Sequence, residues 1–307
     1  MFLLVTPAHN EADNVDGLVD CVRRSTWRPD LWVVVDDRST DDTAARFEAA
    51  RGDLNLRVVP SGTSSGYMGF RYSEVVRAGI AAAGDAVDGL TWFGILDCDI
   101  RFGRTYWADL RAAMEADPSL GIVSGALCSP DETGRMRIEG GQRIDLPRGG
   151  LRLTTGACFR SVGGFERSRA PDSVANVRAK VGGWKTALLQ QHLAWSVRPT
   201  DSRGEDESGW ESRGRRAWNI GQPPWQIGMR AAAVVARGQT VNARGLLRGY
   251  ADERKNGEPI TDAVVADYYR RTRPREWARS LRRRATGRED PHRFVPVRFV
   301  DEAELPE

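Results

Sequence analysis

Along the first hundred residues, short apolar runs alternate with polar turns and helix-period stretches. Residues 2–6 (FLLVT) form an unbroken apolar run, the signature of a strand covered on both faces. After the turn PAHNEADN, Val15, Leu18, Val19 and Val22 recur at helical spacing. Residues 31–35 (LWVVV) predict a second strand, followed by the turn DDRSTDDT and a helix over about 43–50. Residues 56–59 and 91–96 (TWFGIL) predict strands three and four, with a helix over about 70–83 between them. Such alternation predicts a mostly parallel, Rossmann-like sheet with helices on both faces. In that architecture ligands bind at the carboxyl ends of the strands. The polar clusters here follow strands one, two and four.

From about residue 105 the pattern loosens. A helix is predicted over 107–115, a strand over 121–127 and a polar hairpin-like stretch over 131–143, leading to TTGACF at 154–159. Residues 172–183 predict a helix with Val174, Val177 and Val181 on one side. Beyond about 200 the chain is rich in Gly, Arg and Trp, then helical to about 284.

Composition narrows the class. A chain of 307 residues makes one large domain or two ordinary ones, and 40% hydrophobic with 28% charged residues excludes a disordered or collagen-like protein. No apolar run approaches the ~18 residues of a membrane span. The start MFLLVTPAHNE has no basic segment before its apolar stretch, so a secretory signal is not expected. Cys21, Cys98, Cys128 and Cys158 show neither zinc spacing nor a disulfide framework, which suits core packing in a reducing cytoplasm.

The net charge of +3 hides an asymmetry. Three of the 45 basic residues are lysine and the other 42 arginine, and residues 270–288 carry nine arginines against one acid, Glu276. The rest of the chain is net acidic, so the pI near 8.8 does not predict a nucleic-acid binder. Trp277 and Leu281 give this arginine-rich helix an apolar spot, which fits a solvated or packed helix, or peripheral contact with an anionic membrane at its inner face.

Two turns carry candidate chemistry. In DDRSTDDT, Ser39, Thr40 or a following Asp can cap the next helix, but capping does not require two adjacent carboxylates at a strand end. Asp37 is therefore read as a ligand to a base or ribose. In Asp97-Cys98-Asp99 the two carboxylates share one face of an extended strand end. They repel unless donors or a cation intervene, and a divalent metal that also holds phosphate oxygens answers this. A solvated strand end is the plainer alternative.

The segments VTPAHNE, VVVDDRSTDDT and ILDCD, in this order and spacing, resemble the inverting family 2 glycosyltransferases of GT-A fold. The resemblance covers about residues 1–200 and implies sugar transfer from a nucleotide-diphosphate donor, with Mn²⁺ or Mg²⁺ as cofactor. UDP is the first expectation for the donor base, with GDP and dTDP open. It implies that Pro7, Ala8 and Glu11 line the nucleotide pocket, that Asp37 meets the base, and that Asp97 lies near ribose or metal. Asp99 would bind the metal, and Arg71 would contact the nucleotide. It further implies a catalytic domain over 1–200, with a nucleotide-binding half (1–100) and an acceptor-side half (101–200). Residues 201–307 would form a lid region and a basic helical C-terminal extension.

Inversion needs a base near the acceptor hydroxyl. In APDSVANVRAKVGGWKT the family pattern falls on Asp172, Arg178, Gly183, Trp184 and Lys185, with Pro171 where an acid is common. Asp172 is the expected base, at a position that also suits an N-cap. Thr155, Gly156, Ala157 and Gly164 resemble the acceptor-side loop that closes the sugar pocket. His192 is a further candidate ligand, and His9 shapes the turn. The processive signature Q-x-x-R-W meets only Gln222-Pro223-Pro224-Trp225, so a non-processive enzyme is expected. A hydroxyl acceptor on a glycan, glycolipid or secondary metabolite fits a retained base better than a polyprenyl phosphate. A sugar-phosphate nucleotidyltransferase would carry a glycine-rich, lysine-containing loop where this chain has PAHNEADN. Intact carboxylates speak against an inactive nucleotide-sugar-binding protein.

Overall fold

The amino-terminal apolar run forms β1 (Phe2–Ala8), a strand buried over nearly its whole length, in a computed structural model that describes residues 1–62, 70–131, 133–198, 207–258 and 262–301. Parallel to it lie β2 (Leu31–Asp36) on one side and β4 (Trp92–Leu96) on the other, and β3 (Leu56–Pro60) extends the sheet beyond β2. The crossovers run through α1 (Ala12–Arg24), α2 (Thr43–Ala49) and α3 (Arg71–Ala82). Alternate residues of β1 feed opposite cores: Leu4 packs with Val15, Leu18 and Trp32, whereas Leu3 and Val5 pack with Val75 and Val76. The sheet is therefore covered on both faces, as the continuous apolar runs require.

The second half of the sheet is mixed. It comprises β5 (Ile100–Phe102), β6 (Leu120–Pro130), β7 (Met136–Ile138), β8 (Leu151–Thr155) and β9 (Lys185–Ser196), with α4 (Tyr106–Ala116), α5 (Gly156–Ser161) and α6 (Pro171–Val181). Strand order is β3-β2-β1-β4-β8-β6-β9-β5, with β7 added to β6. The predicted parallel arrangement holds for the first four strands, whereas β8 runs antiparallel to both β4 and β6. That reversal matters for the site. Leu151, at the start of β8, pairs with Leu96 at the carboxyl end of β4, and Thr155 pairs with Trp92 at the opposite end.

The carboxyl-terminal third holds α7 (Glu207–Asn219), α8 (Pro224–Val235) and α9 (Thr240–Asn256) around a small core of Ala217, Ile227, Leu246 and Tyr250. Next come α10 (Ala263–Asp267), one π-helical turn and α11 (Arg273–Ala285). The chain then returns to the β-sheet. Val295 N–H donates to the Gln142 carbonyl at 2.7 Å and Val300 N–H to the Met136 carbonyl at 2.9 Å. Both valines are buried with Ala126, Cys128 and Ile138, so this last segment completes one edge of the core. All four cysteines are buried and none forms a disulfide. No described helix is long and apolar enough to cross a membrane.

Candidate active site

The two loops that follow β1 and β2 are built against each other. Asn10 and Arg38 both adopt positive φ (53° and 60°), a costly conformation for residues with a Cβ. It is held by cross-loop bonds: Asn10 N–H donates to Ser39 Oγ at 3.0 Å, and Thr40 N–H donates to Asn10 Oδ1 at 2.8 Å. Asp41, rather than Ser39 or Thr40, supplies the helix-start chemistry. Its carboxylate accepts from the N–H groups of Thr43 and of Ala12, at the starts of α2 and α1. Asp37 is thereby released from capping. It is buried, accepts from Ser61 Oγ at 2.8 Å and forms an ion pair with Arg71. Arg71 also reaches the Asp37 carbonyl at 3.1 Å, and His9 Nδ1 lies 2.8 Å from the same oxygen.

Asp97 and Asp99 follow β4 on the floor of a cavity of about 580 Å³. Tyr72, in the first turn of α3, donates its hydroxyl to Asp97 Oδ1 at 3.1 Å. Its depth below the protein surface, together with the nearby Asp99 and Asp172 carboxylates, pushes the Asp97 carboxyl up to about 7. Asp99 accepts from Arg198 Nε at 2.9 Å and from Ser196 Oγ at 3.3 Å. The other arm of Arg198 pairs with Glu11, so one guanidinium bridges the loops after β1 and β4.

Asp172, the second residue of α6, faces the same cavity. Arg152, which is 1% exposed, lies behind it with Nη2 3.5 Å from Asp172 Oδ1. The carbonyls of Arg148 and Pro147 hold that guanidinium at 2.8 and 3.2 Å. Between the carboxylates runs Gly149-Gly150. A Cβ at 149 would overlap the Asp172 carboxylate, and one at 150 would overlap that of Asp97. Backbone therefore occupies the space between the two acids because neither residue has a side chain.

The predicted residues Pro7, Ala8, Glu11, Asp37, Arg71, Asp97, Asp99 and Asp172 all line this one cavity. Thr155, Gly156, Ala157 and Gly164 do not. The antiparallel course of β8 carries Thr155 and Gly156 to the amino end of β4, where Gly156 N–H bonds the Thr91 carbonyl at 2.6 Å. Thr155 Oγ1 caps α5 by accepting from Cys158 N–H. These are structural duties at the far end of the sheet, and the start of β8 takes the expected place at the site. His192 is also elsewhere, with Nδ1 3.8 Å from Asp109 of α4. The lining residues Tyr72, Gly149, Gly150, Arg198, Ser212 and Arg216 have no separate motif in the sequence. The GG of PRGGLRL, directly before β8, is the one sequence signal that could have marked this close backbone approach.

The oxygen set of Asp97 and Asp99 fits a hard divalent cation. Burial first, and then the charges of Asp99, Asp172 and Glu11, raise the Asp97 carboxyl, so a cation bound here would relieve repulsion among neighbouring acids. A second group with ligand-like spacing, Asp145, Glu276 and His292, is different in kind. Arg143 donates to Asp145 at 2.7 Å and to Glu276 at 3.2 Å, and Lys180 pairs with Asp145. Two cations already occupy that cluster, which ties α11 to α6 and to the loop before β8.

Comparison with known proteins identifies the family. The sequence model for "Glycosyl transferase family 2" matches residues 3–171, more than half of the chain. No curated protein sequence matches. Among solved structures, the fold is similar to the mannosyltransferase PcManGT from Pyrobaculum calidifontis in complex with GDP-Man and Mn²⁺. There the TM-score is 0.52 and the identity 16%, over 93% of this chain and 83% of that one. It is equally similar to residues 1–349 of S. aureus TarS in complex with UDP-GlcNAc, with TM-score 0.52 and 16% identity over 83% and 74% of the chains. The strand-tip acids converging on one cavity, a mixed α/β sheet of GT-A type and the match over residues 3–171 together show that this chain belongs to glycosyl transferase family 2 and is a glycosyltransferase.

Proposed function

We propose that the protein is an inverting, metal-dependent, non-processive glycosyltransferase. It moves a sugar from a nucleotide-diphosphate donor to an acceptor hydroxyl on a glycan, glycolipid or secondary metabolite. The observation that carries this reading is that Asp172 faces the same cavity as Asp97 and Asp99, separated from them by the bare backbone of Gly149-Gly150. Donor and acceptor ends of one displacement thus lie side by side.

Asp37, Ser61 and Arg71 form the base and ribose end, and Glu11 with Arg198 orders the loop beneath the diphosphate. Asp97 and Asp99 would hold Mn²⁺ or Mg²⁺, which when bound supplies positive charge to the leaving diphosphate. Asp172 takes the acceptor hydroxyl proton as the acceptor oxygen bonds to the anomeric carbon. The bond from that carbon to the phosphate oxygen breaks, and its electron pair leaves with the nucleoside diphosphate. A base so placed contributes about 10²–10⁴-fold. Buried Arg152 keeps the Asp172 carboxylate oriented.

UDP is the first choice of donor base, with GDP and dTDP next; the two solved relatives hold GDP-Man and UDP-GlcNAc. A thermal-shift screen of UDP, GDP, dTDP and CDP with Mn²⁺ or Mg²⁺ tests the reading, since a bound ligand stabilises the fold by mass action. One metal-dependent shift is expected, and none with any nucleotide would overturn it.

Peripheral contact with an anionic membrane at its cytoplasmic face belongs to the same proposal. In α11 the single acid, Glu276, is buried against Arg143 and Tyr268 and pairs with Arg273, which leaves Arg279, Arg282 and Arg283 without an acid on their own helix. Trp277 and Leu281 stay exposed beside them. Replacing Arg279, Arg282 and Arg283 with Gln and Trp277 with Ser should abolish sedimentation with phosphatidylglycerol vesicles while leaving nucleotide binding unchanged. Undiminished sedimentation would refute the contact.

A further inference from the structure

Five arginines line the cavity, and four are matched to acids. Arg71 pairs with Asp37, Arg148 with Glu139, Arg169 with Glu253 and Arg198 with Asp99 and Glu11. Arg216, on the cavity face of α7, is half-buried and has no hydrogen-bond or ion-pair partner among the described residues. Burial and the charge of Arg213 both lower its pKa, and Asp172 is the acid whose charge it feels. Holding a guanidinium in this way, short of a matched carboxylate, costs stability unless an anion completes it.

Its surroundings deepen the positive field. Arg213 stacks 4.5 Å from the centroid of the Trp210 ring, and Arg230 of α8 lies 5.9 Å from the same centroid. Ser212 also lines the cavity one helical turn before Arg216, which places a hydroxyl donor beside the guanidinium. The helix is firmly set. Asn219 at its end accepts from Ser168 Oγ at 3.0 Å and from Arg169 N–H at 3.2 Å. Gly214 and Gly249 bring α7 and α9 together with no room for a side chain between them.

We infer that Arg216 and Ser212 form a phosphate subsite on the acceptor side, so that the acceptor is a hydroxyl compound carrying a phosphate group close to the hydroxyl that receives the sugar. The donor diphosphate is served from the other wall, where Arg71 and Arg198 stand with Asp37 and Asp99. The inference rests on the glycosyltransferase reading and narrows its substrate class.

The test uses the full chain saturated with Mn²⁺ and its preferred nucleoside diphosphate, so that the donor site is filled. Glycerol 3-phosphate is titrated by calorimetry, with glycerol as the uncharged control. Binding of glycerol 3-phosphate and none of glycerol is expected. Arg216→Gln should weaken glycerol 3-phosphate at least tenfold and leave nucleotide affinity within twofold, and Arg216→Lys should recover part of the loss. Equal affinity in the wild type and Arg216→Gln, or no binding to the wild type, would overturn the subsite. A parallel loss of nucleotide affinity would also overturn it, because Arg216 would then grip the donor. Failure of nucleotide binding in the wild type would instead bring down the parent reading. Dihexanoyl phosphatidylglycerol in a parallel titration separates the sources: tighter binding than glycerol 3-phosphate points to a lipid headgroup, weaker binding to a soluble ester.

Discussion

Asp172 and Gly149 meet so closely that no side chain fits at position 149. The contact links Asp172 to Asp97, because the next residue, Gly150, bears on Asp97 in the same way and its carbonyl accepts from Asp97 N–H at 2.8 Å. Two consecutive glycines thus set the spacing between the proposed base and the proposed metal ligands.

Gly149→Ala should displace Asp172 and lower transfer by about 10²-fold or more, with nucleotide affinity unchanged. Asp172→Asn should do the same without moving the backbone. Steady-state transfer beside calorimetric nucleotide titration checks both. Transfer at the wild-type rate by Asp172→Asn would remove it from the role of base.

Asp99→Ala should abolish the metal-dependent part of nucleotide binding. Arg198→Ala should act in the opposite direction on the metal itself. Arg198 pairs with Asp99 and Glu11, so its loss removes the guanidinium that competes with a cation for Asp99. We expect lower thermal stability in EDTA and tighter Mn²⁺ binding without nucleotide, by about tenfold for ~1.4 kcal/mol of relieved competition.

Asp97 predicts an unusual pH dependence. Its folded carboxyl titrates near 7, above its ordinary value of 3.8. Below pH ~4 it is protonated in both states. Between pH ~4 and ~7 the unfolded chain releases the proton first, so this group's cost to folding grows with pH and levels off above ~7. Denaturant unfolding in EDTA should therefore show Asp97→Asn more stable than wild type at pH 8, by about 2 kcal/mol or more. The gap should close by pH 4. A constant gap would contradict the assignment.

The knot of Arg143, Asp145, Lys180, Glu276 and His292 holds α11 onto α6 and the loop before β8. Burial works against the Asp145 charge, but His292, Arg143 and Lys180 outweigh it and hold its carboxyl well below the usual range. Its contribution is present above pH ~4 and is lost as pH falls below that. Asp145→Ala leaves Arg143, which is 3% exposed, with Glu276 as its remaining acid, and should cost about 3 kcal/mol in urea unfolding at pH 7. Arg143→Met with Asp145→Leu should cost less, since the most buried cation of the cluster is removed together with its partner.

Much of the nucleotide half was legible because its signals are local. Apolar runs mark β1, β2 and β4, and the polar turns behind them hold Glu11, Asp37, Asp97 and Asp99 at adjacent strand tips. Parallel pairing then gathers those tips at one end of the sheet. Asp172 was legible through a family pattern rather than through periodicity. The acceptor side was not, because it depends on strand direction. Nothing local in TTGACF states that β8 runs against β4, and that direction sends Thr155 and Gly156 away from the site while bringing Gly149-Gly150 into it.

The amino-acid sequence by itself determined the class of fold, the family and the acids at the strand tips, since spacing along a strand and helix propensity are properties of neighbouring residues. Tertiary structure decided the partners: Arg198 on Asp99 and Glu11, Arg152 behind Asp172, the chain end against the core of β6 and β7, and Arg216 on the same cavity as Asp172 without an acid of its own. Those pairings join residues far apart in the chain, and whether a charge is matched or left for a ligand depends on which distant groups the packed fold brings within reach.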